Sequence, residues 1–175
     1  MKFSLTIAFA LVISLLQAQE GPIYAYGITG INYTQIGDRL NGSGSIVGFG
    51  MQVHPTVKND SITPKWFTKW EWSLKEFGRN EETLGFWNLK GGLGFQGDRL
   101  YIGAMLGVMS ARARKSSSAL TAELDVNVAF PWKVMGGEIM LNASVGKYLK
   151  PVYLDDAALR PNYVNIGLAW RKKIG

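Results

Sequence analysis

Between Ser118 and Phe130 every second side chain is apolar: Leu120, Ala122, Leu124, Val126, Val128 and Phe130 alternate with Thr121, Glu123, Asp125 and Asn127. An extended chain points successive side chains to opposite faces, so this segment reads as a strand with one apolar face and one face bearing two carboxylates. Such a strand stands between an apolar medium and a polar one.

The pattern recurs along the chain. Ser45, Val47, Phe49, Met51 and Val53 form one face of a second strand; Trp66, Thr68, Trp70, Trp72 and Leu74 form one face of a third, opposite Lys65, Lys69, Glu71 and Lys75. A fourth sets Trp87, Leu89, Gly91, Leu93 and Phe95 against Asn88 and Lys90, and a fifth sets Leu100, Ile102, Ala104, Leu106 and Val108 against Tyr101, Met105 and Met109. The seventh has Ile139, Leu141, Ala143 and Val145 opposite Glu138, Asn142 and Ser144, and the last has Val164, Ile166, Leu168 and Trp170 opposite Asn165 and Arg171. Within these spans no apolar face carries a charge. The first strand, about Pro22 to Ile36, is ambiguous, because Tyr24, Tyr26 and Ile28 lie on one face and Ile31 and Tyr33 on the other. A bulge that flips the register would produce that pattern, and the facing of this strand stays open.

The N-terminus carries a different signal. Lys2 precedes an apolar run from Ile7 to Leu16 broken only by Ser14, followed by Gln17, Ala18 and Gln19. A basic start, a short apolar core and a small residue at its end predict a secretory signal over residues 1–18, cut after Ala18 or Gln19, and a single domain over residues 19–175. The run falls short of the roughly 20 apolar residues of a membrane-spanning helix. Cysteine is absent, which excludes disulfides, cysteine metal sites and a lipid-modified cysteine at the cut.

Eight alternating strands fit two opposite architectures. A soluble barrel turns its apolar faces inward around a ligand, whereas an outer-membrane barrel turns them outward to lipid and keeps polar groups inside. The 21 glycines, six Trp, eight Phe and seven Tyr favour the second, because a lipid-facing wall is ringed by aromatics at both interfaces. With the strands alternating up and down from the periplasm, Trp66, Phe95, Tyr101, Phe130, Trp132 and Trp170 fall at the periplasmic ends as one belt, joined by Tyr24 or Tyr26. Tyr33, Trp72, Phe77, Phe86, Trp87, Tyr148 and Tyr163 form a looser ring at the outer ends. Strands of about 10 to 13 residues, tilted near 40°, cross a lipid band of about 25 Å, and an even strand number returns both termini to the periplasm, where Arg171, Lys172 and Lys173 would sit. The expected fold is all-β: an eight-stranded antiparallel up-and-down transmembrane barrel.

Turn residues divide the strands. Residues 37–42, 78–82, 112–118 and 150–161 are the expected outer loops; Gly97 and Asp98 make a tight periplasmic turn, Pro131 to Gly137 another, and His54 to Pro64 a longer one. The signal, the eight alternating strands, the short loops and the lack of an appended domain resemble the small eight-stranded outer-membrane barrel proteins. The chain is similar in pattern to the transmembrane domain of outer-membrane protein A and to the virulence-related small barrels. It departs from them at its end, Trp170-Arg171-Lys172-Lys173-Ile174-Gly175, which lacks their terminal aromatic.

The resemblance extends to enzymes, since barrels similar to lipid A deacylases and palmitoyl transferases use a Ser or Asp beside a His at the outer rim. Here the only histidine, His54, falls at the opposite end with no Ser spaced to serve it, so no catalytic residue, cofactor or metal site is assigned. Lys69, Glu71, Lys75, Lys90, Glu123, Asp125 and Glu138 share the polar faces, and they either line a narrow ion path or pair with one another and plug the lumen. The plug is expected, because eight strands leave a bore just wide enough for side chains and charges removed from water need partners. Gly91, Gly92 and Gly94 follow no strand-to-helix turn and cradle no phosphate. The net charge of +6 is not clustered with stacking aromatics on a solvated face, so nucleic acid is not an expected partner. The expected partners are outer-membrane lipid and lipopolysaccharide, which Arg112, Arg114 and Lys115 could touch, with a protein partner at the outer loops or wall. The reading is therefore a structural or interaction protein of the Gram-negative outer membrane, with a narrow pore and a lipid-modifying enzyme as the alternatives.

Overall fold

The computed structural model of the protein describes residues 21–36, 40–54, 65–79, 82–111, 118–154, 157–159 and 161–175. The signal segment, the turn over 55–64 and the basic third-loop residues Arg112, Arg114 and Lys115 lie outside the described residues. Eight strands close into an antiparallel barrel: β1 (Ile23–Ile36), β2 (Leu40–Val53), β3 (Trp66–Arg79), β4 (Glu82–Gln96), β5 (Leu100–Ala111), β6 (Ser118–Val134), β7 (Gly137–Tyr148) and β10 (Pro161–Lys173). Each pairs with its neighbours in sequence, and β10 closes the ring against β1. Two short strands, β8 (Val152–Leu154) and β9 (Ala157–Leu159), make a separate hairpin within the last loop. Among the described residues there is no helix. The described residues begin and end at one mouth of the barrel, the terminal end, where the Ile23 amide donates to the Gly175 carbonyl at 3.0 Å; the hairpin β8–β9 lies at the opposite, loop end. The last residues extend the closing seam, with the Ile174 amide donating to the Ile23 carbonyl at 2.8 Å.

The alternation sets the facing. Leu93, Leu106 and Leu124 stand on the outside, with Leu106 65% exposed, while Lys69, Glu71, Lys75, Lys90, Glu123 and Asp125 point inward and are each at most 5% exposed. The barrel thus inverts the usual arrangement of a soluble protein, with its charges inside and its leucines out. The first strand has no bulge: its pairing with β2 and β10 runs unbroken from Tyr24 to Ile36. Tyr26, Ile28, Asn32 and Thr34 face inward, and Ile31 and Tyr33 face outward. The apolar Ile28 tolerates the interior because it lies against Gly48 across the sheet.

Pairing runs further into the loops than the turn residues imply. β2 starts at Leu40, β3 continues to Arg79, and β4 starts at Glu82. Glu76 and Lys147 stand on outward faces near the loop end, where Glu76 accepts a bond from the Ser45 hydroxyl at 3.0 Å. At the terminal end, the turn after β4 closes with the Gly97 amide donating to the Leu100 carbonyl at 2.7 Å. The stretch from Pro131 to Gly137 is not simply a turn. β6 continues to Val134 through a register shift between Ala129 and Lys133, because Pro131 has no N–H for the ladder and the extra residues bulge out. The reversal itself takes two residues, Met135 and Gly136, both at positive φ (54° and 76°), the turn geometry that matches strand twist.

Four aromatic rings lie over directly paired glycines: Tyr26 opposite Gly50, Phe67 opposite Gly94, Trp70 opposite Gly91 and Tyr163 opposite Gly146. A Cβ at any of these glycines would meet the ring. Each ring covers backbone that a glycine leaves bare; Gly92, between two of these glycines, instead lies against the Ala104 and Met105 backbone.

Candidate functional site in the barrel lumen

Inward positions on β3, β4 and β6 converge at mid-barrel. Lys90 bridges two acids, with Nζ 2.6 Å from Glu71 Oε1 and 2.6 Å from Glu123 Oε1. Lys69 stands 2.5 Å from Asp125 Oδ2 and 3.6 Å from Glu71 Oε2, and Lys75 stands 3.4 Å from Glu123 Oε2. The result is a chain of alternating sign, Asp125, Lys69, Glu71, Lys90, Glu123, Lys75, with three acids matched to three lysines. Removing charges from water is costly, and only such close, mutually satisfied contacts offset it.

Two tyrosines complete the chain in parallel ways. The Tyr26 hydroxyl donates to Glu71 Oε2 at 3.0 Å and its ring lies under Lys69, 4.7 Å from the ammonium. The Tyr163 hydroxyl donates to Glu123 Oε2 at 2.8 Å and its ring lies under Lys75, at 3.4 Å. Each ring therefore serves a carboxylate with its edge and a cation with its face. Below Asp125, the Asn127 amide donates to Asp125 Oδ2 and the Asn142 amide to Asn127 Oδ1, both at 2.8 Å.

Glu138 is not part of this chain. It pairs with Arg171 at 2.6 Å near the terminal end, because its register sets it opposite Arg171 on β10. Arg171, anticipated in the periplasm, is instead buried in that mouth. Its guanidinium lies 4.4 Å from the centre of the Tyr24 ring and 4.2 Å from that of Tyr101, and it donates to the Tyr101 hydroxyl at 2.6 Å. Tyr101 accordingly points into the lumen and takes no place in the outer belt; Tyr24 and Tyr26 face inward as well. His54 sits just past β2, with its ring against Tyr24 and Phe67 and Nε2 2.9 Å from Gln52 Nε2. Burial, and secondarily the charge of Arg171, holds the imidazole down to about 4, so it is neutral near neutral pH. Between this layer and the charge chain, Tyr26, Gln52, Phe67, Lys69, Tyr101, Asn127 and Met140 line a cavity of only ≈ 10 Å³, room for about one water.

The remaining belt residues lie on the outside of the terminal end. Trp66 and Phe95 are a direct cross-strand pair, Phe130 and Trp132 stack at 5.2 Å and 9° on the bulge, and Trp170 donates to the Val134 carbonyl at 2.9 Å. Of the aromatics anticipated at the outer ends, Tyr33 and Trp87 are exposed on the wall, whereas Phe86, Tyr148 and Tyr163 point inward. The side chain of Phe77 lies outside the described residues.

No protein-family model matches the chain, and no curated protein is similar to it in sequence. Solved structures do match. Neisserial surface protein A superposes with a TM-score of 0.67 at 9% identity, covering 89% of this chain and 100% of that one. The attachment invasion locus protein of Yersinia pestis superposes with a TM-score of 0.50 at 13% identity, covering 87% and 99%. At such identities the likeness is one of fold, that of the small eight-stranded outer-membrane barrels.

Proposed function

We propose that this chain is an integral barrel of a bacterial outer membrane, delivered by cleavage of its N-terminal signal, whose lumen is plugged and whose wall and outer loops do its work as a structural or interaction protein. Outer-leaflet lipid and lipopolysaccharide are its partners along the wall and at the loop end, and a protein partner would meet the outer loops or the wall. The observation that carries the plug is the alternating chain of six charges across the bore, above a residual cavity of ≈ 10 Å³. A pore would need a continuous water path, and paired side chains fill this one at mid-barrel. Membrane residence is supported by the outward leucines, by the aromatic residues at the terminal end and by the shared fold. A catalytic role finds no support at His54, whose described neighbours are Gln52, Tyr24 and Phe67 rather than a nucleophile or an acid. Fractionation tests the location: the protein should sediment with outer membranes and resist carbonate and high salt. Recovery as a soluble monomer without detergent would overturn the assignment.

A further inference from the structure

The outer wall is not evenly packed. On β4, β5 and β6 the small residues Gly91, Ala104 and Ala122 lie between Leu93, Leu106, Leu124 and Val145, leaving an open groove of ≈ 700 Å³. Its course follows the register: Gly91 pairs with Leu106, Leu106 with Ala122, and Ala122 with Lys147. Four strands are crossed, and three strand spacings make a run of roughly 14 Å. It starts mid-wall on β4 and ends one residue short of the loop end of β7.

The two ends of this run differ in chemistry. The mid-wall end is lined chiefly by Leu93, Leu106 and Leu124, beside the Trp70 ring over Gly91. At the loop end stand Lys147 and its direct cross-strand partner Asn162, both exposed on the outside. All three lysines of the mid-barrel chain are paired with acids, whereas among the described residues no acid forms an ion pair with Lys147. A cation at the hydrocarbon boundary, beside an amide donor and above an apolar channel, is complementary to an anion that carries a hydrocarbon chain. A polypeptide strand is a poor occupant, because the closed barrel has no free backbone edge to pair with it.

We propose that this groove seats one acyl chain of a phosphate-bearing lipid of the outer leaflet, with the phosphate held by the Lys147 ammonium and the Asn162 amide. The inference rests on the reading that the wall faces lipid. It specifies where on that wall a lipid is held and by which groups.

The test uses the full mature chain refolded in phosphatidylcholine bilayers doped with lipid A, or with lipid A stripped of its phosphates, followed by mild detergent extraction and mass spectrometry of the retained lipid. Wild type should retain about one phosphorylated lipid A per barrel and discriminate against the stripped form. Lys147→Gln should weaken retention by about tenfold and abolish the discrimination, as expected for loss of one charge-assisted hydrogen bond. Ala104→Phe, which fills the channel from β5, where its cross-strand partners are Leu93 and Leu124 rather than the cation, should lower retention of both forms. Equal retention by wild type and both variants in folded, inserted protein would overturn the groove site alone. Failure of the wild type to insert would overturn the lipid-facing reading, and the site with it.

Discussion

The ammonium of Lys90 lies 2.6 Å from Oε1 of Glu123, and both side chains are almost completely withdrawn from solvent. Glu123 in turn accepts the Tyr163 hydroxyl and Lys75, so one carboxylate on β6 holds groups from β3, β4 and β10. Replacing Glu123 and Asp125 together by Gln and Asn would leave three lysines facing Glu71 alone. Breaking a buried pair costs about 3 to 5 kcal/mol, so unfolding in bilayers should show a loss at least of that order. A further Lys75→Met change should restore part of it. If water filled the bore, the orphaned lysines would be screened, stability would hold, and any ion current would shift toward anions.

The facing of the wall can be tested by depth. Leu124 stands on the outward face of β6, well inside the strand, so Leu124→Arg should destabilise the inserted barrel by about 2 to 4 kcal/mol, the cost of a cation at the bilayer midplane. Ser45→Arg lies outward near the loop end, beside Glu76, and should cost about 0 to 1 kcal/mol. Reversible urea unfolding in lipid vesicles measures both. Equal costs would mean that the two positions do not differ in depth.

His54 makes the terminal mouth sensitive to acid. Burial, with help from Arg171, lowers its folded pKa to about 4, below the unfolded value of about 6.5. Between these values the unfolded chain binds a proton that the folded barrel refuses, so stability is intact above pH 6.5 and falls as the pH drops toward 4. Carboxylates titrate nearby, so the measurement is the difference between wild type and His54→Gln across pH 7 to 4. That difference should shift in favour of the variant on acidification; a constant difference would contradict the account.

Much of this arrangement was legible in the alternation of side chains, and the exceptions have a common physical origin. Leu124 and Glu123 announce opposite faces because their solvent preferences are opposite. Tyrosine does not: Tyr26 and Tyr163 serve the interior by donating a hydroxyl to a carboxylate, while Tyr33 serves the wall with its ring, and composition cannot separate the two uses. Parity could have done so for Tyr163, which precedes the outward Val164, and for Tyr101, which sits between Leu100 and Ile102. Assigning aromatics by level rather than by face put Tyr101 in the belt. Arg171 was misplaced for a related reason, since three consecutive cations at a chain end look solvated until pairing with Glu138 carries the first of them inside. The bulge at Pro131 was hidden because a proline followed by glycines reads equally well as a turn.

Ion current through the refolded protein tests the plug most directly. In planar bilayers at high salt the account predicts an electrically silent barrel, because it assigns the chain from Asp125 to Lys75 and the layer of Tyr101, Arg171 and Phe67 the role of a plug. The same preparation must show folded, inserted protein for silence to count. Discrete, reproducible conductance steps from wild type, persisting with voltage and lost on unfolding, would contradict the plug and make the lumen a channel.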